Sequence, residues 1–433
     1  MMTARELAYY ALEKVEEKGG FSNLVLKDML RESGLSKRDK SLATALVYGV
    51  LRDRLFLDRQ IGRFCNLKKT PAKVLRLLRL GAFQICRMDK IPPSAAVNET
   101  VSFAKKIVPQ GAGCCNGVLR KVAEQETWLP SRTDWAQYLS VCYSFPLWLV
   151  KKWEKQFGTE ELESILAGFS QHQPLSVRVN LLKTTVEAVC QEFTELEPSI
   201  LPDAFYLPGI ENIEVLPAWR EGRITVMRPS SMMACLAAEV KPGTRVCDMC
   251  AAPGGKTAYL AQIMKQQGSI DAWELHPHRA ELLKRNLERL GVGIAAVSCR
   301  DSSIYEEVFR ERFDTVLLDA PCSGLGVIGQ KPELKWQDPD RIQELLPVQR
   351  QLLLAGANYV KPGGTLVYST CTLNRAENET MVTWLTGQMR DVVLDLTFGE
   401  GTGMKNLLPH RDGTGGFFIA RLKKLGKKGL THD

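Results

Sequence analysis

The chain has 433 residues, of which 45% are hydrophobic and 24% are charged, and its formal net charge is +8. This length and ordinary globular composition predict a protein of two or three domains. No apolar run reaches the roughly 18 residues of a membrane-spanning helix, and the N-terminal stretch lacks the pattern of a signal peptide, so we expect a cytoplasmic, monomeric protein.

Residues 1–127 are predicted to form a compact bundle of six or seven helices, because apolar residues recur there at helical spacing. This part contains 23 Lys and Arg against 13 Asp and Glu, a net charge of +10, so the rest of the chain carries −2. Residues 63–90 alone hold eight basic residues and one acid. Such density occurs on solvated helix faces, but clustered cations also bind nucleic acid by releasing counterions. We favour nucleic-acid binding.

Residues 128–235 are predicted to contain connecting helices and a small α+β subdomain. In that subdomain LSVRVNLL alternates as a strand does, TVEAVCQEFTEL has helical spacing, and GRITVM is again typical of a strand. Residues 236–425 then alternate strand and helix, which predicts an α/β Rossmann-like domain whose parallel sheet is covered on both faces. Residues 426–433 are predicted to be a flexible tail.

A glycine-rich turn follows the first strand of the α/β part, in the sequence VCDMCAAPGGKTAYLAQIM. Strand, glycine loop and helix form a typical nucleotide-binding arrangement. A phosphate-binding loop would need glycine at position 250, where Cys250 stands, and the dinucleotide pattern G-x-G-x-x-G is absent. A cofactor without phosphate, such as S-adenosylmethionine, needs only the close backbone approach that Gly254 and Gly255 permit.

Acidic residues follow three successive strands of this part. Asp248 ends the first strand, Glu274 ends the second at the spacing expected for a ribose-binding acid, and Asp301 follows the third. These carboxylates could instead only cap helices. Three of them at successive strand ends favour a site for the ammonium group and ribose of S-adenosylmethionine.

Two cysteines follow the next two strands, in VLLDAPCSG and GTLVYSTC. Cys322 lies three residues after Asp319, and Cys371 ends the second stretch. A thiolate that adds to C6 of cytosine makes C5 nucleophilic toward a methyl donor, and Asp319 is suited to hold or protonate N3 and so absorb the developing charge. Methylation of an amino group needs no thiol. The residues alone leave open which cysteine attacks.

The chain contains 12 cysteines, which we expect to be reduced thiols. Cys247 and Cys250 have a spacing seen in zinc sites, but no second Cys or His pair accompanies them. We therefore expect no metal.

Several motifs together resemble the RNA cytosine-C5 methyltransferases of the Nol1/Nop2/Sun family: DMCAAPGGKT, DAPCSG, KW (Lys335 and Trp336), STCT, AEN (376–378) and GGFFIARL. The upstream PLSVRVN is similar to the Arg-x-Asn strand of that family's RRM-like subdomain. Residues 1–127 resemble a NusB-type RNA-binding domain. The resemblance implies a bacterial enzyme with 16S rRNA as its partner and S-adenosylmethionine as its cofactor.

The resemblance also implies roles for single residues. Cys371 would be the nucleophile, Cys322 would assist breakdown of the covalent adduct, Asp319 would contact the cytosine, and Lys256 would lie near the cytosine and the methionine end of the cofactor. The cofactor contacts predicted in this way are Cys250, Ala251, Ala252, Pro253, Gly254, Gly255, Lys256, Glu274, Arg279, Asp301, Ser302 and Asp319.

One segment departs from the family pattern: Met227-Arg228-Pro229 stands where the family often has Gln-Asp. Two other functions remain as alternatives. The chain could modify tRNA, against which the NusB-like part argues only by analogy. It could also be an RNA-binding assembly factor with a silent methyltransferase domain, which the intact set Lys256, Asp319, Cys322 and Cys371 disfavours.

Overall fold

A computed structural model describes residues 2–18, 20–171, 174–210 and 212–426. Contacts divide the chain into two compact units: Met1–Gln171 together with Ile328–Gln337, and His172–Val327 together with Asp338–Asp433. The predicted flexible tail lies, apart from Gly426, outside the described residues. Within the described residues, no helix combines the length and the apolarity that a membrane span requires.

The first unit is helical. Its helices pack around one core, to which α1, α3, α5 and α7 contribute Leu12, Leu46, Leu78 and Leu119. Helix α3 begins where Ser36 accepts a hydrogen bond from the backbone N–H of Asp39, which is a typical N-cap. The helices described here are α1 Ala4–Lys18, α2 Ser22–Glu32, α3 Lys37–Arg52, α4 Arg54–Ile61, α5 Ala72–Arg87, α6 Pro93–Ile107, α7 Ala112–Glu124, α8 Trp135–Cys142, α9 Leu147–Phe157 and α10 Thr159–Ser170.

The KW pair of the sequence motifs belongs to this helical unit. The Lys335 ammonium is buried and donates to the carbonyl oxygens of Arg52 at 2.8 Å and Ser144 at 2.9 Å. The indole N–H of Trp336 donates to the carbonyl oxygen of Leu51 at 3.2 Å. These buried polar contacts hold residues 328–337 among the helices, although the motif is part of the methyltransferase-like run of the sequence.

The second unit begins with a small antiparallel sheet of strand order β2-β3-β1-β4. The side chain of Asn180, the residue after β1, donates hydrogen bonds to the carbonyl oxygens of Gly222 and Leu290. Within β1, the buried Arg178 donates a hydrogen bond to the side-chain oxygen of Gln262. These bonds attach the small sheet to helices α14 and α15. Its elements are β1 Leu175–Val179, α11 Val186–Glu192, β2 Glu197–Pro198, β3 Ala204–Leu207, α12 Pro217–Arg220 and β4 Ile224–Val226; α14 is Gly255–Ile263 and α15 is Pro277–Leu290.

The larger sheet has the strand order β10-β12-β9-β8-β5-β6-β7, with β11 paired to β12. Hydrophobic clusters pack on it, one containing Trp273 and Tyr368 and another containing Leu260 and Val367. The remaining elements are α13 Pro229–Ala237, β5 Arg245–Asp248, β6 Ser269–Glu274, β7 Ala295–Cys299, β8 Phe313–Asp319, α16 Pro339–Tyr359, β9 Val360–Thr370, α17 Glu379–Gln388, β10 Val392–Leu394, β11 Met404–Leu407 and β12 Phe417–Lys424.

The Rossmann-like α/β fold is confirmed, but the prediction of a parallel sheet is only partly correct. Strands β5 to β9 are parallel to one another, whereas β10, β11 and β12 join in antiparallel orientation. No helix separates β11 from β12, and the connection between them spans only residues 408–416. Parallel neighbours need a longer crossover, so this short connection requires antiparallel pairing.

Candidate active site

The glycine loop joins the end of β5 at Asp248 to the start of α14 at Gly255. Gly254 has a φ of +104°, which side-chain-bearing residues rarely adopt. A Cβ atom at this position would lie 2.9 Å from Cδ1 of Leu283. Glycine is therefore required here, both for the backbone conformation and for the packing of α15 against the loop.

Asp248 lies fully buried at the base of this loop. Its Oδ2 accepts a hydrogen bond of 2.7 Å from the Thr257 hydroxyl, while Oδ1 has no partner within the part of the chain that the structure describes. Burial raises the pKa of Asp248 to about 6, and the bond from Thr257 opposes that rise. A buried carboxylate oxygen without a partner is costly, and it fits the ammonium group of S-adenosylmethionine.

Glu274 ends β6, the strand next to β5, and its side chain is buried. Its Oε1 accepts from the backbone N–H of His276 at 3.1 Å and lies 3.3 Å from the Arg279 guanidinium. Arg279 also donates to the carbonyl oxygen of Ala252 at 3.1 Å. Arg279 therefore connects the predicted ribose-binding carboxylate to the glycine loop.

Asp301 and Ser302 follow β7, but their hydrogen bonds in the structure are to the protein. Asp301 accepts from the N–H and the hydroxyl of Ser303 at 2.9 and 2.6 Å. The hydroxyl of Ser302 donates to the carbonyl oxygen of Met249 at 2.7 Å, which fastens this turn to the end of β5. Contact of these two residues with the cofactor stays a prediction.

The loop residues Cys250 to Pro253 connect these acids to the helix. The N–H of Ala251 donates to the carbonyl oxygen of Trp273 at 2.8 Å, so the loop continues the pairing of β5 with β6. Burial raises the pKa of the Cys250 thiol, which therefore stays protonated. Within the described residues, no group of three or more His, Cys, Asp or Glu is arranged to hold a metal ion.

Asp319 ends β8 and lies opposite Ser369 of β9 in the strand register. Its Oδ2 lies 2.7 Å from Nζ of Lys256, and its Oδ1 accepts from the Ser369 hydroxyl at 2.8 Å. Burial lowers the pKa of Lys256, but the charge of Asp319 and the hydrogen bond to it outweigh burial, so the pKa lies above its ordinary value. Lys256 is therefore a charged ammonium beside this carboxylate.

The two predicted cysteines lie together. The sulfur atoms of Cys322 and Cys371 are 3.3 Å apart, and no disulfide joins them. The hydrogen bond between them lowers the pKa of Cys371 below its ordinary value and raises that of Cys322 well above it. The charges of Arg228 and Lys256 lower the pKa of Cys371 further, against burial and Asp319. Of the two thiols, Cys371 is therefore the one that loses its proton more readily.

Buried polar side chains position the two loops that carry these thiols. Asn378 contacts both neighbours of Cys371, accepting from the Thr370 hydroxyl at 2.5 Å and donating to the Thr372 carbonyl oxygen at 3.0 Å. Glu377 accepts from the N–H of Ser323 at 2.8 Å and from its hydroxyl at 2.5 Å. Both side chains are fully buried, so each loop has one well-defined conformation.

Sequence reasoning missed three residues of this site. Glu377 and Asn378 belong to the AEN motif, which was quoted for the resemblance without a role. Arg228 belongs to the segment that departs from the family pattern, and its charge acts on Cys371 and Asp319. Glu377 and Asn378 could have been predicted, because an acid and an amide that closely follow a strand ending in a cysteine are placed near that thiol. Arg228 could not, because only the fold brings it to the site.

Comparison with known proteins identifies the family. A sequence model described as 16S rRNA methyltransferase RsmB/F matches residues 235–423, one of the NusB family matches 2–124, and an RsmF/B-like ferredoxin-like domain matches 145–210. A probable ribosomal RNA small subunit methyltransferase B of Bacillus subtilis is 35% identical over 98% of this chain and 99% of its own length. The chain belongs to the 16S rRNA methyltransferase RsmB/F family.

Another member and two solved structures are similar to this chain over different shares of its length. The ribosomal RNA small subunit methyltransferase B of Klebsiella pneumoniae is 34% identical over 97% of this chain and 98% of its own. The crystal structure of PH0851 matches with a TM-score of 0.83 at 28% identity, over 97% of this chain and 98% of that chain. A methyltransferase homologue from Pyrococcus horikoshii matches with a TM-score of 0.59 at 31% identity, over 67% and 99%.

This RsmB/F family member is therefore a methyltransferase that uses S-adenosylmethionine. The cofactor would supply an electrophilic methyl group. Within the described part of the chain, Asp248 at the glycine loop offers an acceptor without a partner, and Glu274 ends the neighbouring strand.

Proposed function

We propose that this chain methylates C5 of a specific cytosine in 16S rRNA. One observation carries the proposal: the sulfur atoms of two cysteines lie 3.3 Å apart, on the loops that follow two adjacent strands, beside the Lys256–Asp319 pair. Methylation of an amino or hydroxyl group uses no thiol. Attack on C6 of a pyrimidine requires one, because C5 is a poor nucleophile until C6 is substituted.

The reaction begins when the sulfur of Cys371 bonds to C6 of the cytosine and the C5=C6 electron pair becomes available at C5. Asp319 accepts a proton from the ammonium of Lys256 and donates a proton to N3, so the negative charge that develops on the base is neutralised and Asp319 remains a carboxylate. C5 then bonds to the methyl group that the cofactor would supply, and the electron pair of the broken methyl–sulfur bond would stay on the cofactor's sulfur. The C5 proton must next leave before the S–C6 bond can break and release Cys371.

Cys322 is suited to remove the C5 proton. Its pKa is raised first by its hydrogen bond to Cys371 and then by burial; the first cause disappears once Cys371 is a thioether, whereas burial remains. To act as the base, Cys322 gives its proton to solvent and its sulfur then accepts the proton of C5. When the S–C6 bond breaks, the thiolate of Cys371 returns and again accepts the S–H of Cys322.

Two matched variants test this mechanism. The full-length C322A variant, incubated with 16S rRNA and S-adenosylmethionine, should accumulate a covalent protein–RNA complex that survives denaturing electrophoresis. The C371A variant should form none. An adduct in C371A would reverse the roles, and the absence of both adduct and methyl transfer in all proteins, wild type included, would favour a silent methyltransferase domain.

Bisulfite mapping of RNA from a strain that lacks the protein tests the substrate. Loss of one 5-methylcytosine from 16S rRNA is expected, and loss from tRNA instead would overturn the assignment. We also keep as a proposal the division into a NusB-like RNA-binding domain (1–127), connector and RRM-like parts (128–235) and a methyltransferase domain (236–425), in a cytoplasmic monomer.

A further inference from the structure

The structure separates the basic residues of segment 63–90 into two groups. Arg76 is buried and forms ion pairs with glutamates of α1, at 2.9 Å to Glu13 and 3.0 Å to Glu16. Arg79 forms a bidentate pair with a carboxylate of α4, and Arg87 pairs with the residue before α4; these partners are Asp58 and Asp53. These three arginines stabilise the helical fold, and the carboxylates they contact neutralise their charges.

The other group is exposed and lies beside α7. Arg63, Lys68, Lys69 and Lys73 all have exposed side chains on residues 62–73. The guanidinium of Arg63 donates to the carbonyl oxygen of residue 126 at 2.9 Å, just after α7. At the other end, a Cβ at residue 111 would lie 2.6 Å from the side chain of residue 74. The segment therefore follows α7 along its length.

Helix α7 adds the exposed cations Arg120 and Lys121 to this surface. We call residues 62–73 and 111–123 together the basic face. It contains six Lys and Arg and no Asp or Glu. Within the described residues, none of the six forms an ion pair with a carboxylate; Arg63 is bonded to a carbonyl and to the neutral amide of Gln125. The face is thus a concentrated, uncompensated positive charge.

The backbone of α7 is uncovered on this face. A Cβ atom at Gly113 or Gly117 would find nothing within 4 Å, and with Lys121 these residues lie four apart along one side of the helix. Helices α5 and α7 both begin without a side-chain cap, after Pro71 and Gly111, which adds partial positive charge nearby. Glycines leave room for a sugar–phosphate backbone to approach closely.

We propose that the basic face binds the phosphate backbone of the RNA substrate. The inference rests on the proposed function, and it assigns to this face affinity and positioning, not recognition of bases. Lys and Arg without carboxylate partners gain binding energy by releasing the counterions of RNA. Arg76, Arg79 and Arg87 make no contribution, although they lie in the same stretch of sequence.

A glycine substitution tests the face without threatening the fold. Gly117→Glu should stabilise α7, because Gly is a poor helix former, yet it places a negative charge where phosphate is expected. Its Kd for a 16S rRNA fragment, measured by fluorescence anisotropy, should rise about fivefold or more. Gly117→Gln should stay within about twofold of wild type. Gly387→Glu, at an open glycine of α17, is the matched control and should bind as wild type does.

A second set of full-length variants measures the number of phosphates. The salt dependence of binding is the negative slope of log K against log salt. In K68Q/K69Q/K73Q the magnitude of this slope should fall by about 2, because each lost phosphate contact reduces it by roughly 0.7 to 0.9. The control K37Q/R38Q/K90Q removes three exposed cations elsewhere on the same unit and should keep the slope. RNA should also protect the exposed thiol of Cys114, on α7, from alkylation in wild type but not in K68Q/K69Q/K73Q.

The outcomes separate this inference from the proposed function. The triple variant should need a higher RNA concentration than wild type to reach half of its maximal methylation rate, because its binding to RNA is weakened. Equal Kd and slope in K68Q/K69Q/K73Q and its control would overturn the basic face while leaving the methylation mechanism intact. Weakened binding only to an assembled ribosomal particle, and not to naked RNA, would overturn it in favour of an acidic protein partner. Absence of methyl transfer in wild type would count against the function alone.

Discussion

The hydroxyl of Ser323 lies 2.8 Å from the hydroxyl of Thr372, so the residues that follow the two active-site thiols are hydrogen-bonded to each other. Both side chains are buried. The 3.3 Å separation of Cys322 and Cys371 is therefore set by the loops that carry them, and not by the thiols alone.

Loss of the Asn378 side chain should misplace Cys371, because this amide bonds both of its neighbours. We expect N378A to lower kcat by about 10- to 100-fold with little change in KM for RNA, since small displacements of a reacting group are costly. Steady-state methyl transfer checks this. N358A, which removes an amide bond to the carbonyl oxygen of Leu354 in α16, is the control and should keep wild-type kcat. A wild-type kcat in N378A would remove its positioning role.

The charge of Arg228 should be visible in the pH dependence of the reaction. This guanidinium lowers the pKa of Cys371, so its removal should raise that pKa and shift the acid limb of kcat/KM to higher pH, where the thiolate forms. R228M should show this shift, and R228K should largely restore the limb. R350M removes an exposed arginine of α16 and should leave the profile unchanged. An unmoved limb in R228M would exclude an electrostatic role.

Gly254 should tolerate no side chain. In G254A the residue must adopt a φ of +104° and its Cβ would lie 2.9 Å from Leu283, which should cost about 1–2 kcal/mol in free energy of unfolding. The Kd for S-adenosylhomocysteine, measured by calorimetry, should rise about tenfold if the loop shifts to relieve this strain. G387A, in an open helical position, should be neutral or stabilising. Unchanged stability and Kd in G254A would contradict the strain argument.

Lys335 should make stability depend on pH. Burial lowers its pKa from 10.5 to about 7, with Arg52 lowering it further and Asp53 opposing. Between these values the unfolded chain binds more protons than the folded one, so the free energy of unfolding should rise with pH, by at most about 1.4 kcal/mol per unit. K335M lacks this dependence. The difference in unfolding free energy between wild type and K335M should therefore grow in favour of wild type from about pH 7 to pH 9, and a constant difference would contradict the shift.

Much of the fold was predictable because its local patterns agree with its tertiary structure. Alternating strands and helices predicted the α/β domain, and the order of chain segments placed Asp319 and the two cysteines after neighbouring strands. The orientation of β10 to β12 was not predictable from alternation, because hydrophobic spacing is the same for parallel and antiparallel strands. Which cysteine has the lower pKa also remained open, since that depends first on the contact between Cys322 and Cys371 and then on charges such as that of Arg228, which are distant in sequence.

The sequence by itself determined which chemical groups are present and in what order they follow the strands: a glycine loop, three acids, and two thiols. Only the tertiary structure decided how their charges act. It brought Glu13 and Glu16 to Arg76, and among the residues that the structure describes it left Lys68 and Lys69 without carboxylate partners, although all three cations lie in one basic stretch. The physical reason is that an ion pair or a pKa depends on distance through space, which side chains distant in sequence determine.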